Sequence, residues 1–212
     1  MKRGDSSFDT SSKAEDADAQ VAIRKWFIFA TLKNAFGSSS DTILTRLREL
    51  LIPCHATAPF PAEALYASLQ IKPQLDDSEL ERIAGYQYQG RYTNLILSRL
   101  YPDRDWRDAV FHEDHIFPKS DFTVRDLKKR GYDEEKIAAY LSKYNSLANL
   151  QLLTESENLS KNATPFESWI KTRDQDFHKR HLIPDLPEYS FDSFEQFFDD
   201  RRNLITAKLK EV

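Results

Sequence analysis

Apolar residues recur along most of this chain at helical spacing. Residues 21–37, VAIRKWFIFATLKNAFG, are apolar around most of the circumference, which predicts a buried helix stopped by Gly37. Beyond it Ile43, Leu44, Leu47, Leu50 and Leu51 keep the 3.6-residue period, with Asp41 as N-cap. Pro53, Pro59 and Pro61 break the pattern, and helices over 62–69 and 77–86 follow. RYTNLILSRLY predicts a further apolar helix stopped by Pro102. The period then changes. Val110, Phe111, Ile116 and Phe117 lie in a short β-prone stretch that ends at Pro118. Helices are expected near 123–130 and 133–144, the second with an Asp-Glu-Glu start that suits a helix N-terminus. SLANLQLL reads as a second short strand, and TESENLSKN as a helix whose Thr154 and Glu157 form a capping box. PFESWIK adds a turn. In the final long helix Phe194, Phe197, Phe198, Leu204, Ile205 and Leu209 face inward.

The expected fold class is α+β and mainly helical, with two strands and a helix set inside a helical protein. Residues 1–20, polar and without an apolar core, read as a disordered lead-in. Residues 21–101 read as helical scaffold, 102–175 as the chemistry-bearing segment with a helical insertion, and 176–212 as a C-terminal helical segment.

Composition narrows the function. The chain has 212 residues, 40% of them apolar and 12% aromatic, enough for a real core. Thirty basic and 34 acidic residues give a net charge of −4, so any contact with nucleic acid must come from a local basic patch. The single cysteine, Cys54, excludes a disulfide framework and a cysteine-based zinc site. The most apolar run, Trp26–Leu32, is 7 residues, far short of the roughly 20 that span a bilayer. Without a secretory signal either, a cytoplasmic protein that does not engage a membrane is expected.

The residues that carry chemistry are Asp114 and His115 in DHIFPKS, Asn149 in NLQLL, and Asn158 with Lys161 in ENLSK. Neutral imidazole is the natural general base near neutral pH, and on an extended chain Asp114 points to the face opposite His115. Asp114 can therefore hold a metal while His115 faces a water. A carboxylate and the Asn158 amide oxygen are hard ligands that suit one Mg²⁺ or Mn²⁺ ion, with room left for waters and phosphate oxygens. The reaction this fits is phosphodiester hydrolysis. Lys161, one helical turn beyond Asn158 and on its face, is placed to contact a phosphate.

DHIFP, NLQLL and N-x-x-K together resemble the signature of the HNH (ββα-metal) endonucleases. The resemblance implies a β-hairpin carrying His115 and Asn149, followed by a helix carrying Asn158. It assigns His115 as general base, Asp114 and Asn158 as metal ligands, and Asn149 as the brace of the hairpin and the histidine loop. The nine-residue step from Asn149 to Asn158 fits the family pattern. Asparagine stands at the last position instead of histidine, as in the HNH domains of RNA-guided nucleases, which favours Mg²⁺ over zinc. The long gap from His115 to Asn149 implies an insertion in the hairpin.

A wider pattern is similar to the C-terminal nuclease region of the GmrSD-type, modification-dependent restriction family. It runs through ILSRLYP, DHIFPKS, N-x-L-x-NLQLL, N-x-x-K and a tail of the form FHKRHLIP…FEQFFDDRRNLI, over roughly residues 80–210. The resemblance implies a phage-defence enzyme acting on modified or foreign DNA, with a nucleotide-dependent sensor domain or subunit. The five glycines form no phosphate-binding loop and G-x-x-x-x-G-K-S/T is absent, so the sensor is expected on a partner or on a part of the protein outside this chain.

Competing assignments are structural. Asn162 is a rival ligand to Asn158. His112 and Glu113 read as exposed or supporting residues, and His178 and His181 as surface or packing residues. Lys128, Lys129 and Arg130, then Lys171 and Arg173, then Lys179 and Arg180, are candidates for DNA-backbone contact. Alternative functions are a catalytically inactive nucleic-acid-binding module and an RNA-cleaving nuclease of the same fold. A colicin-like toxin would be strongly basic, which this chain is not.

Overall fold

The computed structural model describes residues 14–37, 40–54, 59–101 and 110–211. The chain is mainly helical, with one two-stranded antiparallel sheet among the described residues, and so belongs to the α+β class. It divides into two compact units, one ending at Leu75 and one running from Asp76 to Glu211. Among the described residues no helix is long and apolar enough to cross a membrane.

The first unit holds α1 (Ala14–Leu32), α2 (Ser40–Leu51) and α3 (Ala62–Leu69). Both α1 and α2 pack on α3, and Trp26, Phe29, Ala30, Leu47, Leu65 and Tyr66 form the core. Helix α1 opens inside the stretch expected to be a disordered lead-in. AEDADAQ is rich in alanine, the best helix former, and acidic near its start. Residues 1–13, the rest of that expected lead-in, lie outside the described residues. The helix also stops earlier than Gly37. Asn34 takes the left-handed conformation (φ 54°), with Ala35 N–H donating to Ala30 O and Asn34 N–H to Thr31 O. This is a Schellman ending with asparagine in the place glycine usually takes.

The second unit contains α4 (Asp77–Ala84), α5 (Thr93–Leu100), β1 (Phe111–His115), α6 (Val124–Lys129), α7 (Glu134–Lys143), β2 (Leu150–Thr154), α8 (Glu155–Lys161), α9 (Phe166–Ile170), α10 (Gln175–Arg180) and α11 (Phe194–Lys210). The two units thus divide at Leu75, whereas the sequence pattern divides the chain near residue 101 into scaffold and chemistry-bearing segment. Helix α4 packs on α11 and on the turn before β2, and α5 packs on β2, so both belong with the strands. Helix α10, which periodicity did not announce, is capped by Asp174, whose carboxylate accepts from Phe177 N–H.

An aromatic core fills the unit. Phe117, from the loop after β1, meets Phe166, Phe194 and Phe197 with ring centroids 4.8–5.2 Å apart. Phe194, Phe197, Phe198, Ile205 and Leu209 face inward on α11, but Leu204 is 40% exposed and Arg201 takes a core position. Arg201 lies on the stripe 194, 197, 198, 201, 205, to which Leu204 does not belong. Its Nε donates to His181 O at 3.0 Å and its Nη1 to Ala148 O at 2.7 Å. Burial pushes its pKa down to about 10, leaving it a cation at neutral pH. The carbonyl it ties down immediately precedes Asn149.

Candidate functional site

Strands β1 and β2 pair antiparallel in the register Phe111↔Thr154, Glu113↔Leu152, Asp114↔Gln151 and His115↔Leu150. Helix α8 begins at the residue after β2. Thr154 starts it as the expected capping box, its Oγ1 accepting from Glu157 N–H while Glu157 Oε2 accepts from Thr154 N–H. Strand, strand and helix thus meet at one place, with α6, α7 and their loops between the strands.

Asn149 sits in a tight turn, Leu147–Asn149, just before β2 and not in the strand expected over SLANLQLL. Fully buried, its side chain accepts from Phe117 N–H (2.9 Å) through Oδ1. Its Nδ2 donates to Phe117 O (3.2 Å) and Tyr144 O (2.7 Å). Its backbone carbonyl takes Ile116 N–H. Asn149 therefore pins the two residues after His115 to the end of the insertion. These bonds draw it out of the strand. Asn149→Ala is expected to cost about 2 kcal/mol, chiefly because Phe117 N–H is left buried without an acceptor. Urea denaturation checks this, and wild-type stability would contradict it.

His115 is 7% exposed. Its Nε2 lies 3.0 Å from Asn145 Oδ1. The ring lies against Tyr88 (centroids 4.6 Å apart) and, more distantly, Tyr144 (6.2 Å, planes 20° apart). Burial lowers its pKa below the ordinary imidazole value, outweighing the Asn145 hydrogen bond and the Asp114 charge, which pull it up. The charges of Lys119 and Lys161 push it down further. The imidazole is thus neutral near pH 7, the form a general base needs.

Asp114 has a different set of partners, as alternation along β1 requires. Its Oδ2 accepts from Gln151 Nε2 at 2.9 Å and lies 3.0 Å from Lys161 Nζ. Its Oδ1 makes no hydrogen bond to the described residues. Lys161 is fully buried, and Nζ also donates to His115 O at 2.7 Å. Its ammonium is thus paired inside the protein with Asp114 and the His115 carbonyl, whereas the sequence pattern places Lys161 on the Asn158 face as a phosphate contact. Burial follows from the packing of α8 on both strands.

Asn158 is half-buried on the Lys161 face of α8, one turn nearer the sheet. Its carboxamide has no partner among the described residues. A carboxylate oxygen and an amide oxygen without partners among the described residues, on elements that pack together, are hard donors of the kind a divalent cation takes. Asn162 lies past the helix end, exposed and with φ 44°.

Sequence reasoning missed three supports of this site. Gln151 stands opposite Asp114 only once the strand register is known. Asn145 and Tyr88 come from the end of the insertion and from the loop between α4 and α5. That loop meets the end of the insertion at an isolated bridge, Gln87↔Ser146, with Tyr88 N–H donating to Asn145 O and Leu147 N–H to Tyr86 O, each at 2.8 Å. A fourth residue, Lys119 in the motif itself, is exposed and its charge acts on His115. Glu113 caps Gln89 N–H, and His181 is buried against Phe177, its Nδ1 2.9 Å from Tyr101 Oη. No protein-family model matches the chain, and no curated protein matches it.

Proposed function

We propose that the second unit carries an HNH-type ββα-metal nuclease site that hydrolyses DNA phosphodiesters with one Mg²⁺ or Mn²⁺ ion. The observation that carries this reading is the β1–β2–α8 unit itself, with His115 and Asp114 adjacent on one strand and oriented toward separate sets of partners. Asp114 through Oδ1 and Asn158 through its amide oxygen would hold the ion. When bound, such an ion neutralises charge developing on the phosphate and on the 3′-oxygen leaving group. His115 takes the proton of the attacking water. Lys161 and Gln151 fix the Asp114 carboxylate by its other oxygen, and Asn149 holds the loop that follows the base. The resemblance of the motifs further supports a restriction or phage-defence role, with a nucleotide-dependent sensor supplied by a partner or by a part of the protein outside this chain.

The phosphate contact passes from Lys161 to Lys119, which is exposed and acts electrostatically on His115. Lys119→Ala is expected to weaken DNA binding and to lower the salt slope of log K by about 0.9, the loss of one phosphate contact. An unchanged slope would remove Lys119 from this role.

The function is tested with end-labelled duplex DNA, single-stranded DNA and RNA in Mg²⁺, Mn²⁺ and EDTA, using wild type and Asp114→Ala. Metal-dependent cutting of DNA by wild type, greatly reduced in Asp114→Ala, supports the reading. Cutting of RNA alone would move the substrate class, and cutting undiminished in EDTA would contradict the metal site.

A further inference from the structure

We propose that Asn145 is a positioning residue that fixes the tautomer of His115, keeping the proton on Nε2 so that Nδ1 is the basic atom. The role of Nδ1 rests on the nuclease reading above, whereas the tautomer itself rests on geometry. His115 Nε2 lies 3.0 Å from Asn145 Oδ1. A carboxamide oxygen only accepts, so the ring nitrogen facing it carries the hydrogen. Neutral imidazole has one N–H, which leaves the lone pair on Nδ1. In the proposed reaction one proton passes from water to Nδ1, and the resulting imidazolium keeps its Nε2–H bond to Asn145.

Asn145 is itself held in place. Its carbonyl accepts from Tyr88 N–H at 2.8 Å, and the next residue, Ser146, is buried and accepts from Gln87 Nε2 at 2.8 Å. Tyr88 lies against the ring on one side, and Tyr144 stacks more distantly. The two asparagines of YNSLAN therefore divide the work. Asn149 bonds only backbone, and Asn145 bonds the imidazole. The helical insertion between the strands thus gains a purpose, since Tyr144 and Asn145 directly follow its last helix, α7.

The test is long-range ¹H–¹⁵N correlation spectroscopy on metal-free, histidine-labelled protein, well above the ordinary imidazole pKa of about 6.5. His115 is assigned by its loss in His115→Ala. Wild type is expected to show His115 as the Nε2–H tautomer with a solvent-protected Nε2–H signal. Asn145→Leu is expected to lose that protected signal. Asn145→Asp, which keeps an oxygen acceptor, is expected to retain it and serves if the leucine variant does not fold. A proton on Nδ1 in wild type, or a protected Nε2–H signal that persists in Asn145→Leu, would overturn the proposal. DNA cleavage is a separate readout, so a failed nuclease reading and a failed tautomer assignment are told apart.

Discussion

His115→Ala is expected to fold like the wild type and to cut DNA about 10²–10⁴-fold more slowly, the usual contribution of a positioned general base. The fold survives because the imidazole has one side-chain hydrogen bond and lies at the end of β1, while the backbone of its loop is held by Asn149. Asn145 loses a partner, but it is only half-buried and can turn to water, which limits the cost to about 1 kcal/mol. A large loss of rate at near-wild-type stability is therefore the signature of a catalytic residue. Single-turnover cleavage together with thermal unfolding measures both. Equal rates would remove His115 as the base, and a collapsed fold would make it structural.

The largest effect on stability is expected from Lys161→Met. The methionine refills much of the apolar stem, but nothing replaces the ammonium between Asp114 Oδ2 and His115 O. Breaking one side of a buried ion pair typically costs about 3–5 kcal/mol, because the remaining charge is stranded. Here the low end, about 3 kcal/mol, applies. Asp114 keeps Gln151, and its side chain is 14% exposed. Adding Asp114→Asn removes the stranded charge and is expected to recover part of the loss, a non-additivity that denaturation of the single and double variants would read. Wild-type stability of Lys161→Met would show that the pair does not form in solution.

Much of this fold was legible because its helices repeat every 3.6 residues, and the capping box at Thr154 and Glu157 follows from local chemistry alone. What escaped the sequence depends on through-space neighbours. Arg201 occupies a core position because backbone carbonyls meet it there, and a charged residue in a helix otherwise reads as exposed. Lys161 could be placed on the face of Asn158 by spacing, but its burial needs both strands beneath α8. Asn34 ended α1 where glycine was the expected signal. The unit boundary at Leu75 is overshadowed in the sequence by Pro53, Pro59 and Pro61, which interrupt the first unit and do not end it. Asn145 and Asn149 stand four residues apart in YNSLAN, and only geometry shows which one touches the His115 ring.

The most direct measurement is incubation of supercoiled plasmid with wild type and His115→Ala in parallel, in Mg²⁺, Mn²⁺ and EDTA. Nicking or linearisation by wild type alone, with metal and not with EDTA, is the predicted result. Cleavage by both proteins alike, or by wild type in EDTA, would contradict a metal-dependent nuclease built on His115.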